Sequence, residues 1–354
     1  MFKKLLPWYL LVLVVLSLAF IYGCGAAPTS GGGGAATAVT YYGTSSPGDF
    51  WKWDIYSDGT FFGSNETLGF YVSGTYVNLP SGFGKAHVTA INGVATSEYA
   101  YFLEIPNTML LVKPGGEHDN VIICAAAAPT APPGGQYNWV QLPWQGWNYT
   151  NSNAYGTVEV IESSGSYTFE VKFYKVDGNA SPQVGTTESG FSFANGMLQK
   201  TGSDLKIFMT PSGVFGADQG SNGGFAGAIK PSLAMTTDEV IGKRFRGVMF
   251  RFNATTGTGE TRPIGASGEA AGLIRGAEFT DVDISAEPNY SQSVTLEFGS
   301  IDNGIAHGPL VGQNDNSTFT MVISKVGDSE KILVFGISTQ ESSGDPYNFL
   351  VIEK

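Results

Sequence analysis

The chain reads as an all-β protein made of two or three antiparallel barrel- or sandwich-like units, and three observations predict this. First, apolar and polar residues alternate with a period of two. Trp51, Trp53 and Ile55 alternate with Lys52 and Asp54; Tyr167, Phe169, Val171 and Phe173 with Thr168, Glu170 and Lys172; Val294, Leu296 and Phe298 with Thr295 and Glu297. Such alternation buries one face of a strand and wets the other. Second, Asp58-Gly59, Asn92-Gly93, Asp177-Gly178, Asn195-Gly196 and Asn303-Gly304 stand between such runs. These dipeptides favour tight hairpins, because both central residues of a type I′ turn need positive φ. Third, no stretch after residue 40 keeps a helical period over three turns, and Thr236–Lys243 allows one short helix at most.

The chain opens differently. Met1–Lys4 is a short basic leader and Leu5–Tyr22 is apolar without a charge, the layout of a secretory signal. Its length also approaches the ~18 apolar residues of a spanning helix. The run closes on Ile21-Tyr22-Gly23-Cys24. This ending resembles the lipobox of bacterial lipoproteins, with Ile21 three places before the cysteine and Gly23 directly before it. Tyr22 stands where that family more often has a small residue. The resemblance implies a signal peptide over residues 1–23, cleavage before Cys24, a diacylglyceryl group on the Cys24 thiol, and a palmitate-type acyl chain on the new amino terminus. Gly25 after the cysteine, by resemblance to enteric lipoproteins, implies an outer-membrane address in the bacterial envelope. Each buried methylene contributes ~0.8 kcal/mol, so two or three chains hold firmly where one holds weakly.

Residues 24–39 comprise the lipidated cysteine and a small-residue tract, GAAPTSGGGGAATA over Gly25–Ala38. That composition is a flexible coil with a reach of about 20 Å, enough to hold a folded body clear of headgroups.

Composition bounds the body. With 354 residues, 42% hydrophobic and 13% aromatic, the chain can bury more than one core. Its formal charge is −12, or −14 once Lys3 and Lys4 leave with the leader, which disfavours nucleic acid as a partner. Lys243-Arg244-Phe245-Arg246 is a local basic exception, read as a solvated strand start. Of the two cysteines, Cys124 sits in Val121-Ile122-Ile123-Cys124-Ala125, where it is expected to pack as a small hydrophobe. With Cys24 acylated, no disulfide supports the fold.

An ungapped similarity links Ile122-Ile123-Cys124…Tyr137–Leu142 with Ile332-Leu333-Val334…Tyr347–Ile352. It suggests a closing hairpin that occurs twice. The first β unit is then expected over 40–145, with about eight strands, the number that closes a small barrel around packed side chains or one ligand. The second region covers 146–354 and is expected to subdivide near 231–242. Lipocalin-like and avidin-like barrels share this meander, but the likeness is architectural only.

Catalytic patterns are sparse. His87, His118 and His307 lack metal-ligand spacing, and no phosphate-binding or nucleophile-elbow motif occurs in a strand-to-helix setting. Ser203–Lys206 matches S-x-x-K, but Thr201-Gly202-Ser203 reads as a turn rather than a helix. The loop Asp218–Gly223 lacks the ligand set of a calcium loop. Sequons at Asn65, Asn253 and Asn316 read as polar turns beside a bacterial lipobox. No cofactor or metal is expected.

Trp144, Trp147 and Tyr149, interleaved with Gln145 and Asn148, are the candidate ligand-binding residues. They either stack on a sugar or peptide, or cement one unit to the next. The leading functional reading is a lipid-anchored, non-enzymatic interaction or structural module, partnered by the membrane through its lipid and by envelope proteins or glycans. The alternative is a small-ligand carrier whose barrel interior is lined by Trp51 and Trp53. A hydrolase using an unrecognised pair among the thirty-one acids is a third.

Overall fold

The computed structural model describes residues 36–354, apart from 46–47, 116–120, 128–129, 132–133, 143–153, 176–184, 219–224, 232–234, 254–257, 280–283, 285, 287, 289–293, 312–317 and 339–346. Among the described residues there are twenty-four strands and a four-residue 3-10 turn, Thr237–Val240. The strands form three closed antiparallel barrels of eight, each in simple chain order around its ring.

The first barrel takes β1 (Ala38–Ser45), β2 (Phe50–Tyr56), β3 (Thr60–Asn65), β4 (Phe70–Asn78), β5 (Gly84–Ile91), β6 (Val94–Ile105), β7 (Met109–Pro114) and β8 (Ile122–Ala126). The second takes β9 (Gly135–Leu142), β10 (Ala154–Ser163), β11 (Ser166–Lys175), β12 (Thr187–Ala194), β13 (Met197–Gln199), β14 (Lys206–Met209), β15 (Val214–Asp218) and β16 (Phe225–Ile229). The third takes β17 (Arg244–Asn253), β18 (Thr258–Ala270), β19 (Leu273–Glu278), β20 (Val294–Glu297), β21 (Ile305–Val311), β22 (Thr318–Val326), β23 (Lys331–Ser338) and β24 (Tyr347–Glu353). Pairing of β1 with β8, β9 with β16 and β17 with β24 closes the rings. Among the described strands, closure leaves no sheet edge to recruit a foreign strand.

The hairpin dipeptides act as their chemistry dictates. Asn92-Gly93, Asn195-Gly196 and Asn303-Gly304 have positive φ at both residues. At Asp58-Gly59 only the glycine is left-handed, at φ +85°, and the Asp58 carboxylate instead accepts from the Thr60 backbone N–H and hydroxyl. Asp177-Gly178 lies outside the described residues.

Four apolar clusters hold this body. Three are lumens, around Trp51, Trp53 and Phe102 in the first barrel, Tyr137, Phe169 and Phe215 in the second, and Phe245, Met321 and Phe349 in the third. The fourth joins outer faces of all three barrels: Leu103, Leu111 and Ile123 meet Val140, Phe208 and Ile229, and also Leu333, Phe335 and Leu350. This explains the continuous apolar runs. Along β24, Phe349 and Val351 enter the lumen while Leu350 and Ile352 enter the shared core. Each such aliphatic side chain contributes about 1.5–3 kcal/mol by leaving water.

Polar contacts pin each interface. Between first and second barrels the Thr44 hydroxyl donates to Asp218 at 3.3 Å, both buried. Between second and third, the Asn138 amide donates to the Asn303 carbonyl at 2.6 Å and the Ser324 hydroxyl to the Lys230 carbonyl. Between first and third, Arg246 reaches the Ser81 carbonyl.

Two expectations are corrected here. The hairpin expected over 122–142 does not form: β8 pairs with β7 and β1, whereas β9 pairs with β10 and β16. Both edges of β8 are occupied within its own ring, so the chain from 127 onward must found the next barrel. An interval ending at 145 therefore takes in β9, a strand of the second sheet. The third sheet begins at Arg244, after the second ends at Ile229. The basic cluster at 243–246 is not a solvated strand start throughout. Lys243 pairs with Glu353 at 2.6 Å, but Arg246 is fully buried where the third barrel meets the β4–β5 loop of the first.

Candidate functional site

The lumen of the first barrel differs from the others in chemistry. Alternation along β2 sends Trp51, Trp53 and Ile55 inward, while Lys52 and Asp54 form an ion pair outside at 3.2 Å. The two indoles stack at 5.2 Å with an interplanar angle of 15°. Phe70 meets Trp51 edge-on at 5.3 Å, and Phe61 lies 6.0 Å from Trp53. Glycines make room for these rings: a Cβ at Gly63 would stand 2.6 Å from the Trp53 ring, and one at Gly84 2.1 Å from that of Phe102.

Asn65 faces Trp51 across the β2–β3 register and is 1% exposed. Its Oδ1 accepts from the Leu68 backbone N–H at 2.8 Å, which fixes the amide orientation and turns Nδ2 away as a donor. Asn65 Nδ2, Trp51 Nε1 and Trp53 Nε1 are all buried without a hydrogen-bond partner in the protein. A buried donor left unsatisfied costs about 1–3 kcal/mol, so three on two adjacent strands are a feature to be explained.

Opposite Trp53 across the β1–β2 register, Tyr41 is fully buried and donates its hydroxyl to Glu104 at 2.6 Å. Burial first, and then the neighbouring carboxylate, push the Tyr41 phenol far above its ordinary range, so it stays a donor. Cys124 occupies the same lumen beside Gly43, and burial pushes its thiol well up.

The first and second lumens are buried alike: the most exposed of their buried lining residues are Ile55 and Val72 at 8% in the first and Trp139 at 8% in the second. On the β4–β6 wall of the first, Gly74, Ala86 and Ala100 are small, and the Phe61 ring takes the space beside Gly74, 2.9 Å from where a Cβ would stand. The rim of this lumen carries exposed apolar side chains, Leu68 at 62% and Val94 at 68%, with Ile91 beside Val94 at the β5–β6 tip.

No protein-family model matches the chain, and no curated protein is similar to it.

The remaining sequence candidates distribute as follows. Cys24, Trp144, Trp147 and Tyr149 lie outside the described residues, as does His118. His87 sits on the outer face of β5, its Nε2 3.1 Å from the Ser97 hydroxyl, and His307 packs on Tyr155 of the second barrel at 5.6 Å. Among the described residues no cluster of three or more His, Cys, Asp or Glu is placed to hold a metal. Ser203 lies in a turn, where its hydroxyl accepts from the Leu205 N–H, while the Lys206 ammonium stands 4.9 Å over the Phe50 ring of the first barrel. That pair belongs to no helix. Asn65, noted as a sequon, is a lumen residue, and the Thr67 hydroxyl accepts from the Phe50 N–H. Alternation alone could have placed Asn65 inward beside Trp51. Its missing partner became visible only with the register.

Proposed function

We propose that the chain is a lipid-anchored protein of the bacterial envelope, held to the outer membrane through Cys24, and that its barrels form a non-enzymatic interaction module for envelope proteins or glycans. The anchor rests on the lipobox resemblance at Ile21–Cys24. The module rests on one observation: among the described residues, six of the eight large apolar side chains left exposed belong to the first barrel, Leu68, Tyr71, Val77, Ile91, Val94 and Tyr99. Four of these, Leu68, Tyr71, Ile91 and Val94, come from the β3–β4 turn, β4 and the β5–β6 tip. Exposed apolar residues gathered in one region mark contact surfaces more often than scattered ones do.

A photo-crosslinking side chain at Val94, in cells, is expected to form a discrete adduct that the same group at Ile241 of the third-barrel region does not form. Equal labelling at both would sink the module. For the anchor, Cys24→Ala should abolish incorporation of a fatty-acid analogue, and unchanged incorporation would defeat it.

A second reading, a carrier with a ligand in the first lumen, is supported by the three unpartnered donors of Trp51, Trp53 and Asn65.

A further inference from the structure

We propose that the first lumen takes an uncharged, mainly apolar molecule bearing a carbonyl- or amide-type acceptor, held by the indole N–H groups of Trp51 and Trp53 and the Asn65 amide. This rests on the carrier reading and adds the chemical class of the ligand. The three groups only donate. Trp51 and Trp53 have no acceptor on their rings, and the one acceptor of Asn65 is taken by the Leu68 N–H. A ligand oxygen with two lone pairs can satisfy two such donors, and a flat group fits beside stacked indoles and the Phe70 edge.

Charge selects against an anion. Glu104 shares this lumen through its bond to Tyr41, and Glu98, two residues before Ala100 on β6, stands on the same side at the exposed rim. Among the described residues of this barrel no lysine or arginine occupies a lumen-facing strand position: Lys52, Lys85 and Lys113 all alternate outward. A carboxylate entering a poorly solvated site beside acids would be repelled, whereas a neutral acceptor brings no such cost. Leu68, Ile91 and Val94 give an apolar threshold for entry.

Calorimetric titration of the full chain in lipid nanodiscs with hexanamide and with hexanoate tests this, empty nanodiscs being the blank. Saturable binding of the amide is expected, at least about tenfold tighter than the carboxylate. Asn65→Leu should weaken the amide about fivefold, the loss of one neutral hydrogen bond. Ala100→Phe, filling the lumen from another strand, should abolish binding, and Glu170→Gln on the second barrel should change nothing. With an isotope-labelled chain, hexanamide should shift two indole N–H resonances downfield, a readout that needs no variant. If neither compound, nor octanamide, binds saturably, the carrier reading itself is lost. If amide and carboxylate bind alike, or if Asn65→Leu and the indole resonances are indifferent to the amide, a carrier stands but the ligand class is wrong.

Discussion

The Arg246 side chain of the third barrel donates through Nε to the Ser81 carbonyl of the first at 2.5 Å, and neither residue is exposed to more than 2%. Its Nη1 donates to the Phe245 carbonyl at 2.7 Å, and the guanidinium lies 5.5 Å from the centroid of Phe279, which itself meets Phe83 edge-on at 5.4 Å. A strand that begins with exposed cations therefore ends its basic run inside an interface, tying the β4–β5 loop to another barrel.

Arg246→Met keeps the stem's volume but deprives buried carbonyls of donors. We expect a loss of about 2–4 kcal/mol in denaturant unfolding. New proteolytic cleavage should appear near Pro80–Gly82, because the loop would then be held to the third barrel by fewer contacts, the Lys354 bond to the Pro80 carbonyl and the Phe83–Phe279 ring contact.

Phe335 is fully buried in the shared core, its ring 2.9 Å from where a Cβ on Gly227 of the second barrel would stand. Phe335→Ala should cost about 3–5 kcal/mol. The variant should also unfold in two resolved steps by fluorescence and calorimetry, because the coupling between barrels is lost. Phe169→Ala, confined to the second lumen, should cost a similar amount yet leave the first and third barrels cooperative.

Cys124 should resist a thiol reagent in the native state and react only as fast as the first barrel opens, since burial disfavours its thiolate. Gly43→Ala probes the same spot. The added Cβ would sit 2.3 Å from Cys124 Sγ and 2.4 Å from the Ile123 carbonyl oxygen. A destabilisation of about 1–3 kcal/mol is expected, together with faster labelling of Cys124.

Glu239 closes a capping box on the 3-10 turn, accepting from the Thr236 N–H at 2.7 Å, and pairs with Lys325 of β22. The hydrogen bond from Lys325 first, then that from Thr236, holds its carboxyl below the usual value. A carboxylate lowered on folding stabilises above its unfolded pKa and loses that contribution as pH falls through the folded one. Thermal midpoints should therefore fall with pH below about 4.5, and part of this slope should vanish in Glu239→Gln, by an amount within the ~0–1 kcal/mol of a partly exposed pair.

Where one face of a strand is wet, the sequence was readable. Trp51, Trp53 and Ile55 point inward as alternation requires, and three Asn-Gly turns adopt the left-handed pair that their composition favours. Legibility failed where strands are buried on both faces. Ile332–Phe335 and Phe349–Ile352 show no alternation, because successive residues enter two different cores; the internal similarity still gave their pairing as a closing hairpin, which β23 and β24 form, but the seams between barrels could not be inferred. The spurious hairpin over 122–142 arose from the same uniformity. Arg246 was misread because a linear charge cluster does not reveal what docks against it. At the first lumen, aromatic placement was visible from spacing, but the unpartnered donors required the pairing of Asn65 with Trp51 and the turn contact at Leu68.

The common core has a consequence for how the chain can be cut or assembled. A first barrel released alone would wear Leu103, Leu111 and Ile123 as skin instead of filling, and would stick to copies of itself. Synthesis runs from the N-terminus, so that greasy coat stands bare until the last strands arrive. During this delay neighbouring chains can meet through it.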